Sequence, residues 1–327
     1  MTLHEALKTA QDNLKAIAEI VGALGVIIVS YFQVRSYLNR SRLLVPNAFP
    51  LPEISGNNVI FEAAEPDETL LFGRTREVRD VVQAVHSHSL MFLYGESGSG
   101  KSSLLKLGVA RELKRSSGWI PIYIDTWGQD WVRGPRISLA NATEFALRSL
   151  ALSREQPVNA GNVFPRLPGL RKITGRQPVL IFDQLDDYQS AYRTHFQNAN
   201  TGLLISSDEL CKDNAFWQDA RQLILNSECP VHVLLATRED AKTGLHCFQF
   251  VAPGVYPLGR LHAEEARQLI HRLADENVVS KPENGFRQLV ERIVAELGRD
   301  YEATLLPMQL RVAMAGIGNL TGPLTPS

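Results

Sequence analysis

The chain has 327 residues, 44% of them apolar, enough to bury at least one sizeable core and to carry more than one unit. Its 34 basic and 35 acidic residues leave a net charge of −1, which argues against nucleic acid as the main partner, because tracking a phosphate backbone requires a clustered excess of Lys and Arg. Three cysteines, Cys211, Cys229 and Cys247, and eight histidines show no metal-ligand spacing, which points to reduced thiols and to no structural metal.

In chain order, the first element is the apolar run AIAEIVGALGVIIVSYFQV from Ala16 to Val34, which holds a single charge, Glu19. Arg35, Arg40 and Arg42 follow it with no acid among them, whereas Lys8 and Lys15 before it are offset by Glu5 and Asp12. The positive-inside rule puts the C-terminal side in the cytoplasm, with Tyr31 and Phe32 at the level of an interfacial belt. Residues 1–41 are therefore expected to hold a single-pass helix in the inner, cytoplasmic membrane; the competing reading is a packed or oligomerisation helix of a cytoplasmic protein. Residues 42–58 contain Pro46, Pro50 and Pro52 and read as a semi-rigid linker.

The globular part is expected at 59–255. It opens with Gly73 and Arg74, then Thr75 as the N-cap of a helix on which Val78, Val81, Val82 and Val85 recur at helical spacing. A short buried strand from Ser89 to Tyr94 leads into GESGSGKSS, in which Gly95, Gly100, Lys101 and Ser102 satisfy the P-loop spacing G-x-x-x-x-G-K-[ST]. Gly95, Gly98 and Gly100 free the backbone to turn successive N–H groups of Glu96, Ser97, Ser99 and Ser103 inward as an anion nest at a helix N-terminus. Lys101 then reaches the β- and γ-phosphates of ATP, and the Ser102 hydroxyl holds Mg²⁺. Another strand is expected from Ile120 to Ile124, ending at Asp125, and the basic stretch Arg166 to Arg176 reads as a solvated loop.

The second required element is a carboxylate at the tip of a buried strand, supplied by PVLIFDQLDDY. Val179 to Phe182 end at Asp183, in the Walker B position that holds the Mg²⁺ shell partly through water, while Asp186 and Asp187 act on the attacking water and Gln184 helps position it. A further run, PVHVLLATRED, puts Arg238 at a strand tip on the same carboxyl edge, within reach of the γ-phosphate. The fold class is thus α/β, a mostly parallel sheet flanked by helices, followed by a small helical region at 256–320 that includes a helix from Ala303 to Ile317, and a tail at 321–327. No LSGGQ-like signature and no N-K-x-D motif follow the P-loop, which sets aside transporter ATPases and GTPases.

The succession LFGRTREV, LYGESGSGKSSLL, LIFDQLDDY, VHVLLATRED and YPLGRLHAEEARQLI resembles the STAND NTPases, relatives of the AAA+ ATPases, above all a bacterial subgroup with a DQ-type Walker B. That resemblance implies that Gly73 and Arg74 lie near base and ribose, that Arg238 senses the γ-phosphate, and that Pro307 touches the nucleotide. Asp186 stands where the subgroup has glutamate, and the shorter side chain implies slow turnover, which suits a switch. The family usually continues into a winged-helix domain and a long sensor repeat, so the resemblance implies here either a separate sensor or effector protein or a P-loop unit that is itself the regulated part, with the apolar N-terminus as output module and self-association, in bacterial defence or cell-death signalling. The alternative function is a membrane scaffold that binds ATP without hydrolysing it.

Overall fold

The computed structural model describes residues 73–128, 130–150, 157–198, 201–275, 285–299, 302–310 and 313. The chain divides into a unit Met1–Ala48 and a unit Phe49–Ser327, and every described residue belongs to the second. The apolar N-terminal run and the proline-rich linker lie outside the described residues.

Helix α1 (Thr75–Ser87) buries Val81, Val82 and Val85, the apolar stripe that its sequence spacing predicts. Thr75 is its first residue and not its cap: Arg74 occupies the cap position, with no side-chain hydrogen bond to the helix. Strand β1 (Leu90–Gly95) follows and feeds helix α2, which begins at Lys101–Ser103, widens into a π-helical segment Leu104–Val109 and finishes as Ala110–Arg115. All six residues of the π segment are buried, so the whole circumference of α2 is packed there, and no single face points to solvent.

After β2 (Trp119–Ile124) come α3 (Arg136–Arg148) and α4 (Val163–Thr174), then β3 (Gln177–Phe182) and the short α5 (Leu185–Ala191). Helix α4 corrects the expectation of a loop over Arg166 to Arg176. Pro165 sits in the first turn, where its missing N–H is no loss. Pro168 lies inside the helix, which is tolerated because Val163, Phe164, Leu167 and Leu170 drive one side into the core. Two further helices, α6 (Ser207–Asp213) and α7 (Ala215–Leu225), precede β4 (His232–Arg238), and β5 (Gly254–Leu258) closes the sheet. The sheet thus runs through Leu258, three residues beyond the boundary expected at 255.

All pairings in this five-stranded sheet are parallel, in the order β2-β3-β4-β1-β5. Its central strands read as apolar runs because both faces are covered. On one face Phe92, Leu180, Phe182 and Leu235 join the core under α3 to α7, which includes Trp131, Tyr188, Phe216 and Trp217. On the other, Leu93, Ile181, Leu234 and Ala236 pack against α1 and α2.

The following segment is not purely helical. Strand β6 (Leu261–His262) pairs antiparallel with β7 (Thr304–Leu305), with Leu261 opposite Leu305, and the two brace α8 (Ala263–Asp275) and α9 (Phe286–Gly298). The strand at 304–305 replaces the start of the helix expected from Ala303. Ile270, Leu273, Val290, Val294, Leu305 and Leu310 share a separate small core.

His232 links the sheet to α1. Its Nδ1 lies 2.8 Å from the Val85 carbonyl and 2.9 Å from that of His88, and Trp119 meets its ring edge-on. Burial, reinforced by the nearby His86 and Arg171, pushes its pKa below the ordinary 6.5, against the opposing pull of the two carbonyls. The unfolded chain therefore binds a proton that the folded one resists, so this stability is complete above 6.5 and is lost as pH falls. Urea unfolding midpoints are expected to drop between about pH 7 and about pH 5, and the drop to shrink in His232→Gln.

Candidate functional site

Three parallel strands end side by side on the carboxyl edge of the sheet. Gly95 of β1 is opposite Arg238 of β4, and Leu235 of β4 is opposite Phe182 of β3, the residue before Asp183. A cavity of about 560 Å³ opens over this edge, lined by Ser97, Gly98, Gly100, Lys101, Ser102 and Ser103 of the loop, by Asp183, Gln184, Asp186, Asp187 and Arg238, and by Pro307. Residues as far apart in sequence as Ser97 and Pro307 thus share one space.

The loop takes its shape from two glycines. Gly98 and Gly100 have φ of 82° and 90°, a left-handed conformation that other residues enter at a cost of about 1 kcal/mol or more. Close approach matters as well, since a Cβ on Gly95 would stand 2.6 Å from the Leu258 carbonyl oxygen, and one on Gly98 2.9 Å from Met308 Cβ. Lys101 begins α2 and folds its ammonium back to donate to the carbonyls of Gly95 at 2.9 Å and Glu96 at 3.0 Å. Burial lowers its pKa, while Asp186 and Asp183 pull it back up. A cation that is half-desolvated and faces two carboxylates is matched to an anionic ligand that brings its own divalent metal.

Asp183 is 1% exposed. Tyr123 donates to its Oδ2 at 2.5 Å, the Gln184 backbone N–H to its Oδ1 at 2.8 Å, and Trp127 Nε1 to its carbonyl at 2.9 Å. Gln184 itself takes φ 57°, a strained conformation for a residue with a side chain, where the chain turns from β3 into α5. Asp186 lies in the first turn of α5, where burial raises its pKa, a shift in the direction a proton acceptor needs. Arg238 is 3.9 Å from Asp186 and 2.6 Å from Asp240, with its side chain 47% exposed, so its guanidinium is held at the mouth of the cavity.

Gly73, Arg74, Gly95, Glu96 and Ser99 do not line this cavity. Arg74 is buried and its guanidinium is committed to protein groups: Glu77 at 2.7 Å, the Gly259 carbonyl at 2.8 Å and the Ser99 carbonyl at 3.4 Å. Glu96 forms a two-point ion pair with Arg260, at 3.0 and 2.6 Å, which lowers its pKa. Sequence reasoning missed the apolar wall of Leu269, Leu273, Met308 and Leu310, and it missed Tyr123, Trp127 and Arg260. Leu269 and Arg260 do lie in the stretch YPLGRLHAEEARQLI, but nothing in their local pattern says which loop they face.

The strained backbone at residue 184 gives a direct check. Gln184→Gly removes the left-handed penalty while leaving the N–H to Asp183 in place, so it is expected to lose no more than about 1 kcal/mol of stability and to gain where strain relief exceeds the added chain entropy. Chemical denaturation measures this; a large loss would mean that the Gln184 side chain, and not its backbone, secures the strand end.

A family model described as novel STAND NTPase 1 matches residues 61–314. No curated protein matches the chain. Among solved structures it is similar to the ORC2 protein of Aeropyrum pernix in ADPNP–ADP complexes, at 14% identity, with 79% of this chain and 71% of that chain covered and a TM-score of 0.44. It is also similar to a Walker-type ATPase of Pyrococcus abyssi, at 15% identity, with 78% and 69% covered and a TM-score of 0.46. Likenesses this distant bear on neither activity nor partners. The family match spans the phosphate loop, the Asp183 strand and the segment that carries Pro307, and the chain belongs to the novel STAND NTPase 1 family.

Proposed function

We propose that the chain is a nucleotide-dependent switch that binds ATP with Mg²⁺ and hydrolyses it slowly. The observation that carries this reading is that one cavity is lined both by the phosphate loop with Asp183 and by Leu269, Leu273 and Pro307 of the segment after the sheet. A ligand there touches two parts of the fold at once, which is the geometry a switch requires.

In this reading the loop N–H groups and Lys101 receive the β- and γ-phosphates, while the apolar wall accommodates the less polar end of the nucleotide. The Ser102 hydroxyl and Asp183, the latter partly through water, would hold Mg²⁺, which would supply positive charge to offset that of the phosphates. Asp186, assisted by Asp187, orients a water and accepts its proton as the water oxygen bonds to the γ-phosphorus. The bond from that phosphorus to the bridging oxygen breaks, the electron pair leaves with ADP, and inorganic phosphate is released. Arg238 at the cavity mouth stabilises the charge that spreads over the γ-phosphoryl oxygens. The short Asp186 side chain supports slow turnover.

Lys101→Ala is expected to weaken ATP binding at least about tenfold, because a charge-assisted contact is worth about 1.5–3 kcal/mol. Asp183→Asn is expected to abolish phosphate release, and Asp186→Asn to slow it with nucleotide still bound. Calorimetric binding and a phosphate-release assay check both. Unchanged ATP affinity in Lys101→Ala would sink the nucleotide reading, and binding without any phosphate release in the parent would leave the non-hydrolysing scaffold.

Membrane anchoring, self-association and a separate sensor or effector protein in a defence pathway complete the proposal. Its support is the charge asymmetry around Ala16 to Val34, since among the described residues no helix is long and apolar enough to cross a membrane. Replacing Ile27 and Ile28 by Arg costs about 2.5–3.5 kcal/mol per charge at the centre of a spanning helix and is expected to move the protein to the soluble fraction with ATP binding intact. Parent protein recovered wholly in the soluble fraction would remove the anchor.

A further inference from the structure

Asp183 meets a side chain that the nucleotide reading does not use. Tyr123 lies on β2, the edge strand beside β3, and its ring turns toward the α1 and α2 side of the sheet. Its hydroxyl donates to Asp183 Oδ2 at 2.5 Å, while the Gln184 backbone N–H donates to Oδ1 at 2.8 Å. The two donors fix the orientation of the carboxylate at the cavity that Asp183 and Ser102 both line.

The tyrosine is itself held in place. The Lys106 ammonium, in the π segment of α2, lies 4.9 Å from the centre of the Tyr123 ring and 2.7 Å from Asp125 Oδ2 at the end of β2. One cation thereby clamps the ring face and the strand tip together.

Resting on the reading that Ser102 and Asp183 serve a nucleotide-bound divalent cation, we infer that Tyr123 is a positioning residue for that cation. By ordering one oxygen of Asp183 before the cation arrives, it raises the affinity for Mg²⁺ without touching the phosphates. Outer groups that orient metal ligands are commonly worth about 10–100-fold in metal affinity.

The test is a fluorescent ADP analogue bound to the full chain, first in EDTA and then titrated with Mg²⁺, in the parent and in Tyr123→Phe. The variant keeps the ring and its contact with Lys106, so the expected results are cooperative thermal unfolding retained in EDTA, unchanged Mg²⁺-free nucleotide affinity, and a Mg²⁺ midpoint raised about tenfold or more. Equal Mg²⁺ midpoints in the two proteins overturn the inference. So does a loss of Mg²⁺-free affinity as large as the loss with Mg²⁺, since that marks a general structural role. Failure of the parent to bind the analogue at all instead removes the nucleotide reading on which the inference rests.

Discussion

Parallel pairing of β1, β4 and β3 is the constraint on which the cavity depends. Because the strands run the same way and in fixed register, the loop after Gly95, the tip at Arg238 and the carboxylate of Asp183 emerge on one edge, although they are far apart in sequence. A one-residue slip would exchange the two faces of a strand that is buried on both. Met91 and Leu93 fill one core while Leu90 and Phe92 fill the other, so the shapes of the two cores together fix the register. The aromatic cluster then stiffens the edge itself. Trp127 stacks on Tyr188 of α5 at 4.9 Å and donates to the Asp183 carbonyl, so the residue that ends β3 is tied to the helix that follows it.

Local chemistry made most of the site legible in the sequence. Glycines at 95, 98 and 100, a lysine and serine at a helix start, and an aspartate ending an apolar run are each required by the conformation or charge at their own position. Buried strands were equally plain, because a two-sided core demands continuous apolar residues. What stayed hidden depends on contacts across the chain. Helix α4 carries Pro165, Pro168 and Gly169, which locally oppose a helix; burial of Phe164, Leu167 and Leu170 overrides that preference. Thr75 has the chemistry of a cap, yet Arg74 takes the cap position because its guanidinium reaches Ser99 and Gly259. Tyr123 has the look of an ordinary strand aromatic, and only the pairing of β2 with β3 brings its hydroxyl to Asp183.

The phosphate loop is also bound, through its own atoms, to the chain that leads away from the sheet. Its Glu96 carboxylate is gripped by Arg260, just after β5, and its Gly98 carbonyl accepts from the Met308 backbone N–H at 3.3 Å. Arg74 completes the connection by donating to the carbonyls of both Ser99 in the loop and Gly259 beside Arg260. Between them, Gly259 and Arg260 separate the last strand of the sheet from β6, the first element of the small core. These contacts leave the loop little freedom to change shape alone. Gly98 cannot move away from Met308 without losing a hydrogen bond, nor toward it, because the glycine is already as close as a missing Cβ allows. A ligand that reshapes the loop must therefore also displace Leu306 to Leu310 or the junction at Gly259 and Arg260. The same segment supplies Pro307, Met308 and Leu310 to the cavity wall, so a ligand in the cavity would touch that segment as well as the loop.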